Sequence, residues 1–573
     1  MTTNGGAVSL TASTGNLTVA QTVGSGAGPI SLQATGDTLA LGPYDVSGSG
    51  VTLEGIGVTQ AAGSTVAAGS GDILVNGGGG AISLAGALTT GSDSTTAVIV
   101  RNVTTVALPS ITTGTSGTTT IGAGDITGTV SQSGSTAIAT GTLTGDTSGT
   151  VTLTNANTLP NLGAFTHNGR GLDDEDPLAI NGALNGGTGG VNLTSSGSID
   201  ETGGGVVRTT GASMLIAGNG GDITLGGANT FGGNVAFNGH DVTLTTGTGG
   251  LSTSGTADGT LTETAAGAIT QDGTLQVSGA SKLTALSGSD IVLGNDANVF
   301  GGSVAFSGHN VMLTAGAGGL SSAGTAAGNL TLRAEGPSSN LSLGTISADG
   351  DVLLIAGDSI LGTGAPSTVT ANNIEVRYGI QSPDGQLSSA NAGQQLGWAA
   401  ASGAAITATV WAPAGVKLPT KNVALPTGSV LNAAVHGFPA NNLLLERSLY
   451  TAPFGASVAQ ITQGSLASVT SANFSQMNTG EETAGNEDIS GGGTAQLVYV
   501  DWASYNPDVT LFGTLNPAVC LPADQRIAGT GSSSACAAPA SAVASNSIRT
   551  PVLLSMVLTR GGWKEEPLLD LPQ

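Results

Sequence analysis

"FGGNVAFNGHDVTL" runs from Phe231 to Leu244, and "FGGSVAFSGHNVML" runs from Phe300 to Leu313. Ten of the fourteen positions are identical. A histidine copied together with its surroundings reads as part of a scaffold, because a catalytic group has no reason to be duplicated with the chain around it. His240 and His309 are therefore expected to be turn residues just before a strand. Phe231, Phe237, Phe300 and Phe306 are expected to fill core.

Outward from these blocks, short apolar-x-apolar triplets recur along the chain. Val8-Ser9-Leu10, Ile30-Ser31-Leu32, Val51-Thr52-Leu53 and Ile73-Leu74-Val75 follow one another at an almost constant step. A second series, Leu17-Thr18-Val19 and Leu39-Ala40-Leu41, trails the first at a fixed offset. Each triplet alternates in and out as a half-buried strand does. Gly, Asn, Asp and Ser fill the gaps with turn chemistry. A fixed period of ~20–22 residues marks a solenoid whose single coil is too small to bury its own apolar face. The expected fold is all-β, a parallel β-helix over residues 1–380, with no helix of consequence before residue 400. A longer unit of about three coils is laid over the coils. "GAITQDGTLQVSGASKL" (267–283) resembles "GSIDETGGGVVRTTGASML" (197–215), and a decayed copy of the Phe block begins at "NTLPNLGAFTHNG" (157–169).

After residue 380 the texture changes. All four Trp, at 398, 411, 502 and 563, lie there, as do thirteen of the twenty Pro. Residues 381–560 are expected to form an irregular, β-rich region that covers the solenoid end, because an open edge would recruit other chains. Residues 561–573 are expected to be a disordered tail.

Composition narrows function. The chain of 573 residues carries 95 Gly, 9% charged and 3% aromatic residues, yet 39% of it is hydrophobic, which is too much for a disordered chain. A net charge of -24 with 13 Lys and Arg argues against nucleic acid and anionic membrane surfaces. No stretch is long and apolar enough to span a membrane as a helix. Residues 1–20 have neither the basic start nor the apolar core of a signal peptide. With this composition, the expectation is that the chain is the C-terminal part of a longer exported protein. Cys520 and Cys536 are close enough in sequence for a local disulfide, and two free buried thiols are the alternative.

The candidate chemical groups are few. "GRGLDDEDPLAING" (169–182) is the densest charge cluster, expected as a protruding loop. Its Arg170, Asp173, Asp174 and Asp176 are the candidate ligand- or ion-binding residues. Paired carboxylates there could hydrolyse a glycosidic bond or hold calcium, and a solvated loop is the plainer reading. Gly-Asp-Ile recurs at 71–73, 124–126 and 221–223, with variants at Asp290 and Asp351. The copies lack the tandem nonapeptide spacing of calcium-binding β-rolls, so each Asp is read as a turn cap. The four His, at 167, 240, 309 and 436, show no metal-ligand spacing in sequence. No phosphate loop, dinucleotide fingerprint or nucleophile elbow is present. No cofactor, resident metal or catalytic residue is expected.

The coil length, the Gly/Thr/Asn composition and repeats of the type "GDITLGGANTFGGNVAFNGHDVTL" (221–244) resemble the filamentous haemagglutinin-like family over about residues 1–380. These are large exoproteins of Gram-negative bacteria exported by two-partner secretion. The resemblance implies a right-handed parallel β-helix and a surface or secreted adhesin. The implied partners are host or matrix glycans and surface proteins, and an outer-membrane transporter for the precursor. The family's export signal and N-terminal secretion domain have no counterpart in these residues, and it offers no catalytic residues to carry over. The expected function is therefore a cell-surface or biofilm-matrix adhesin. The alternatives are a polysaccharide-degrading lyase or glycosidase using the 170–176 stretch, and a purely structural stalk.

Overall fold

The computed structural model describes residues 1–372 except 170, 175, 287, 337 and 364–366, and then the strands 374–378, 396–400, 406–412, 430–437, 445–453, 499–501 and 511–512. Every regular element among them is a strand, and the chain winds as a parallel β-solenoid of about 16 turns. It divides into two compact units, Met1–Val292 and Leu293–Gln573.

The first unit opens with coils of three strands. One row of in-register residues runs Leu10, Leu32, Leu53, Val75, Val100, Ile121. A second runs Leu17, Leu39, Val58, Ile82, Val106, Val130, Val151. A third runs Val23, Val46, Val66, Leu88, Ile111, Ile138. All members of the third row are buried. The triplets produce these rows because their regular period returns each inward side chain onto its predecessor ~4.8 Å away. Each buried Val, Leu or Ile is worth ~1.5–3 kcal/mol against leaving it in water. One coil holds only a handful, so stability comes from stacking.

The third sheet has six strands and ends at Ile138–Ala139. Further along, the coil closes with two longer strands and shortens. Ile223 pairs with Val242, and Val242 with Leu261. The hydrogen bonds that join the corners of these coils span 19 residues each. Strands here are long, as in Ile223–Phe231 and Ile269–Val277. The sharp bends inside them fall on glycine. Phe237 is followed in register by Gly255 and then Leu275. Gly255 has φ +137, and a Cβ there would overlap the Phe237 carbonyl oxygen, so only glycine fits.

The second unit repeats this scheme. Leu313, Leu332 and Leu354 form one buried row. Opposite it, Phe306 is followed by Gly324 (φ +153) and Ile346. Parallel pairing continues beyond residue 380, through Leu396–Ala400 on Ser367–Ala371 and Ile406–Ala412 on Ile374–Tyr378. Val430–Gly437 is the last strand in this parallel succession, and it also pairs antiparallel with Leu445–Pro453. Tyr499–Asp501 and Leu511–Phe512 extend the antiparallel part. These strands are what is described of the region 381–560. The 561–573 tail, Cys520 and Cys536 lie outside the described residues.

Candidate functional site

The acidic stretch does not form the expected protruding loop. Leu172–Asp174 is a strand paired on Leu193–Ser195, with Asp173 opposite Thr194 and Asp174 opposite Ser195. Leu172 joins the buried row Leu153, Leu172, Leu193, Leu215, and that burial overrides the poor strand propensity of aspartate. Asp176 is half-buried, and its backbone carbonyl accepts the Ser195 hydroxyl at 2.6 Å. Arg170, and the side chains of Asp173 and Asp174, lie outside the described residues.

Of the Gly-Asp-Ile aspartates, Asp222 serves a coil corner, whereas Asp125 lies inside the strand Thr118–Ile126 and pairs with Arg101 at 3.0 Å. In the first unit, the Ser198 hydroxyl accepts the Asp222 N–H at 3.0 Å. Asp222 Oδ1 accepts the Asp241 N–H at 3.0 Å, and Asp241 Oδ1 accepts the Thr260 N–H at 2.6 Å. Each corner side chain thus holds the backbone of the next coil. In the second unit, Asn310 does the same for Asn329, and Asn329 for Asp351, each at 2.9 Å. Asp72 is held differently: the Ser92 and Ser94 hydroxyls donate to Oδ1 at 2.7 Å, and Thr96 donates to Oδ2 at 2.6 Å. Its burial would raise the pKa, but these three donors outweigh it and hold the carboxyl below the usual range.

The corner ladder brings together groups that showed no ligand spacing in the sequence. His240, Asp222 and Asp241 place their ligating atoms within 4.8 Å of one another. His240 Nδ1 lies 3.3 Å from Asp222 Oδ1 and 3.8 Å from Asp241 Oδ1. Asp222 and Asp241 are 19 residues apart, the local coil length, and that signal was available in the sequence. The N–H and hydroxyl of Thr260 bring the Asp241 pKa down, burial opposes them weakly, and His240 lowers it further. In the second unit His309 Nδ1 instead meets the Asn310 amide at 2.9 Å. His167 is buried beside Phe165 in a T-shaped contact, and burial lowers its pKa. The side chain of His436 lies outside the described residues.

Two further features escaped the sequence reading. Asn157, Asn229 and Asn298 are fully buried at equivalent places of the three Phe blocks. Asn157 Nδ2 donates to Leu153 O at 3.1 Å, and Oδ1 accepts the Ile138 N–H at 2.9 Å. Asn229 Nδ2 donates to Leu225 O at 3.2 Å, and Oδ1 accepts the Val207 N–H at 2.6 Å. In both places the strand register shifts between that leucine and that asparagine. The amide supplies the hydrogen bonds that the shifted backbone cannot make to its neighbour.

Glu263 is the second. It stands fully buried in the row Leu225, Leu244, Glu263, Leu283, and neither carboxyl oxygen has a hydrogen-bond partner. Burial pushes its pKa up to about 7. The corresponding residue of the second copy is Leu332, so aligning the two copies would have exposed it.

Residues 171–238 and 239–307 each match a family described as repeats of unknown function (DUF5649). No curated protein and no solved structure matches the chain. The two matched segments abut, and each is close in length to the interval from one Phe block to the next. Fold and repeat together define a parallel β-solenoid carrying a duplicated unit of about three and a half coils, so that Phe165 and its counterpart Phe237 fall in different sheets.

Proposed function

We propose that this protein is an extracellular adhesin or biofilm-matrix component, of the filamentous haemagglutinin-like kind exported through an outer-membrane transporter. The observation that carries the reading is the set of solvent-facing polar rows on the solenoid sheets. Thr224, Thr243, Thr262 and Lys282 stand in register on successive coils. Ser9, Ser31 and Thr52 do the same near the start. Hydroxyls repeated every ~4.8 Å offer glycans or matrix proteins many weak contacts in a fixed array. Each contact is feeble, and avidity supplies the hold. The buried rows make the array stiff, so its ordering entropy is already settled before binding.

The test is a bead assay. Beads coated with the chain are expected to be retained on glycan- or matrix-protein-coated surfaces, and beads bearing the T224A/T243A/T262A variant are expected to detach sooner. Beads that wash off every such surface would overturn the adhesive reading. A blot of fractionated source cells with an antibody to residues 221–332 tests location: signal confined to the cytoplasm would overturn export.

A further inference from the structure

The corner formed by Asp222, His240 and Asp241 has the geometry of a ligand set rather than of a simple turn. An imidazole nitrogen faces two carboxylates, and all three project from the ends of adjacent coils. With bonds of ~2.1 Å, typical of zinc to nitrogen and oxygen, the 3.3 Å edge between His240 Nδ1 and Asp222 Oδ1 subtends roughly 105°. The 3.8 Å edge to Asp241 Oδ1 subtends roughly 130°. Both angles suit a four- or five-coordinate ion. His240 is half-exposed, leaving room for water to complete the shell.

Two observations add to the distances. Both carboxylates are already oriented, Asp222 by the Asp241 N–H and Asp241 by the N–H and hydroxyl of Thr260. The space beside them is kept clear by Gly259: a Cβ there would collide with Asp241 Oδ1 and sit 3.0 and 3.1 Å from His240 Cε1 and Nδ1. The second copy provides an internal contrast. There the aspartate is replaced by Asn310, whose neutral amide hydrogen-bonds His309 Nδ1 at 2.9 Å, whereas His240 Nδ1 faces the Asp222 carboxylate at 3.3 Å. The corner fold is the same, and the ligand chemistry differs.

We propose that Asp222, His240 and Asp241 form a binding site for a divalent transition metal ion, with zinc as the representative. An imidazole with two carboxylates suits zinc and its neighbours, whereas calcium takes oxygen ligands only. The bound ion would tie the corner of one coil to the corner of the next and would be specific to this copy of the repeat.

The experiment is calorimetric titration of zinc chloride into the full chain in chelator-free buffer, beside the variants D241N and H240A. Asp241→Asn retains the corner, because Asn310 Oδ1 makes the equivalent hydrogen bond to Asn329. The expected result is one zinc fewer, or an affinity at least ~10-fold lower, in both variants. Zinc should also raise the melting temperature of the native chain but not that of D241N. If H240A does not fold, D241N alone carries the test. Zinc binding that is absent in the native chain or unchanged in D241N overturns the proposal. Calcium giving the same heat and the same D241N loss would overturn ligation through the imidazole.

Discussion

The two copies of the repeat share a stacking scheme and differ, among many positions, at one buried residue and one clustered residue that carry charge in only one of them. Both stack a phenylalanine, a bent glycine and a branched aliphatic in register: Phe237, Gly255 and Leu275 in one, Phe306, Gly324 and Ile346 in the other. Yet one copy places Glu263 in its leucine row where the other has Leu332, and Asp241 at its corner where the other has Asn310. Geometry that every coil needs is kept in both copies. Groups that differ are free to carry charge, and one of them does so at a cost.

Substitutions can break what the copies share or exchange what they do not. The largest effect is expected from Gly255→Ala or Gly324→Ala. Each forces a side chain onto positive φ and against the carbonyl of the preceding coil. Strain and overpacking together should cost ~4 kcal/mol, alike in both copies, read as local opening by hydrogen exchange. A loss in only one copy would show that their bends are not equivalent.

Next comes Glu263→Leu, which makes the first copy match the second. The folded-state pKa of about 7 stands above the ordinary 4.5. Below pH ~4.5 both folded and unfolded chains hold the proton, and the ionisation penalty is absent. As pH rises from 4.5 to 7, the unfolded chain gives up its proton first, so stability falls, and above 7 the full penalty of about 3 kcal/mol applies. The leucine variant should therefore gain about that much at pH 8, with the pH-dependent part of the gain vanishing at pH 4, in denaturant melts at both values. Leu332→Glu should create the same pH dependence in the second copy. An E263L melt as pH-sensitive as the native chain would sink the assignment.

Asn229→Ala should cost ~2 kcal/mol, because it leaves the Val207 N–H and the Leu225 carbonyl buried without these partners. Asn157→Ala should do the same, and exchange of the Ile138 and Val207 amides reports it. The smallest effect on stability without added metal belongs to Asp241→Asn, within ~0.5 kcal/mol.

The fold was legible because its signal is arithmetic. Alternating triplets at a constant step, such as those starting at Val8, Ile30 and Val51, have few other ways to bury their apolar side chains. The Leu172–Asp174 strand was misread because the four acids that follow Leu172 outweigh it in a local window, whereas the fold judges Leu172 by its neighbours one coil away. The buried asparagines look like ordinary turn residues until three copies are aligned. Glu263 sits in "LTETA", which reads as a surface strand. The Asp222–His240–Asp241 corner needed the shorter local step rather than the average one. In each case the missing information was lateral: contact with the next coil, which no window along the chain contains.

The boundary between the two matched repeats, 238/239, falls inside Asn234–Gly239, close to the corner where one coil gives way to the next. Copying this unit carries each strand to the other sheet, as Phe165 pairs in one sheet and its counterpart Phe237 in the other, while the apolar positions still face inward. A gene that slips by one such unit yields a longer or shorter protein whose interior is still well packed. Size in this molecule can therefore change by copying errors in the DNA, with each step adding or removing an odd number of half-coils.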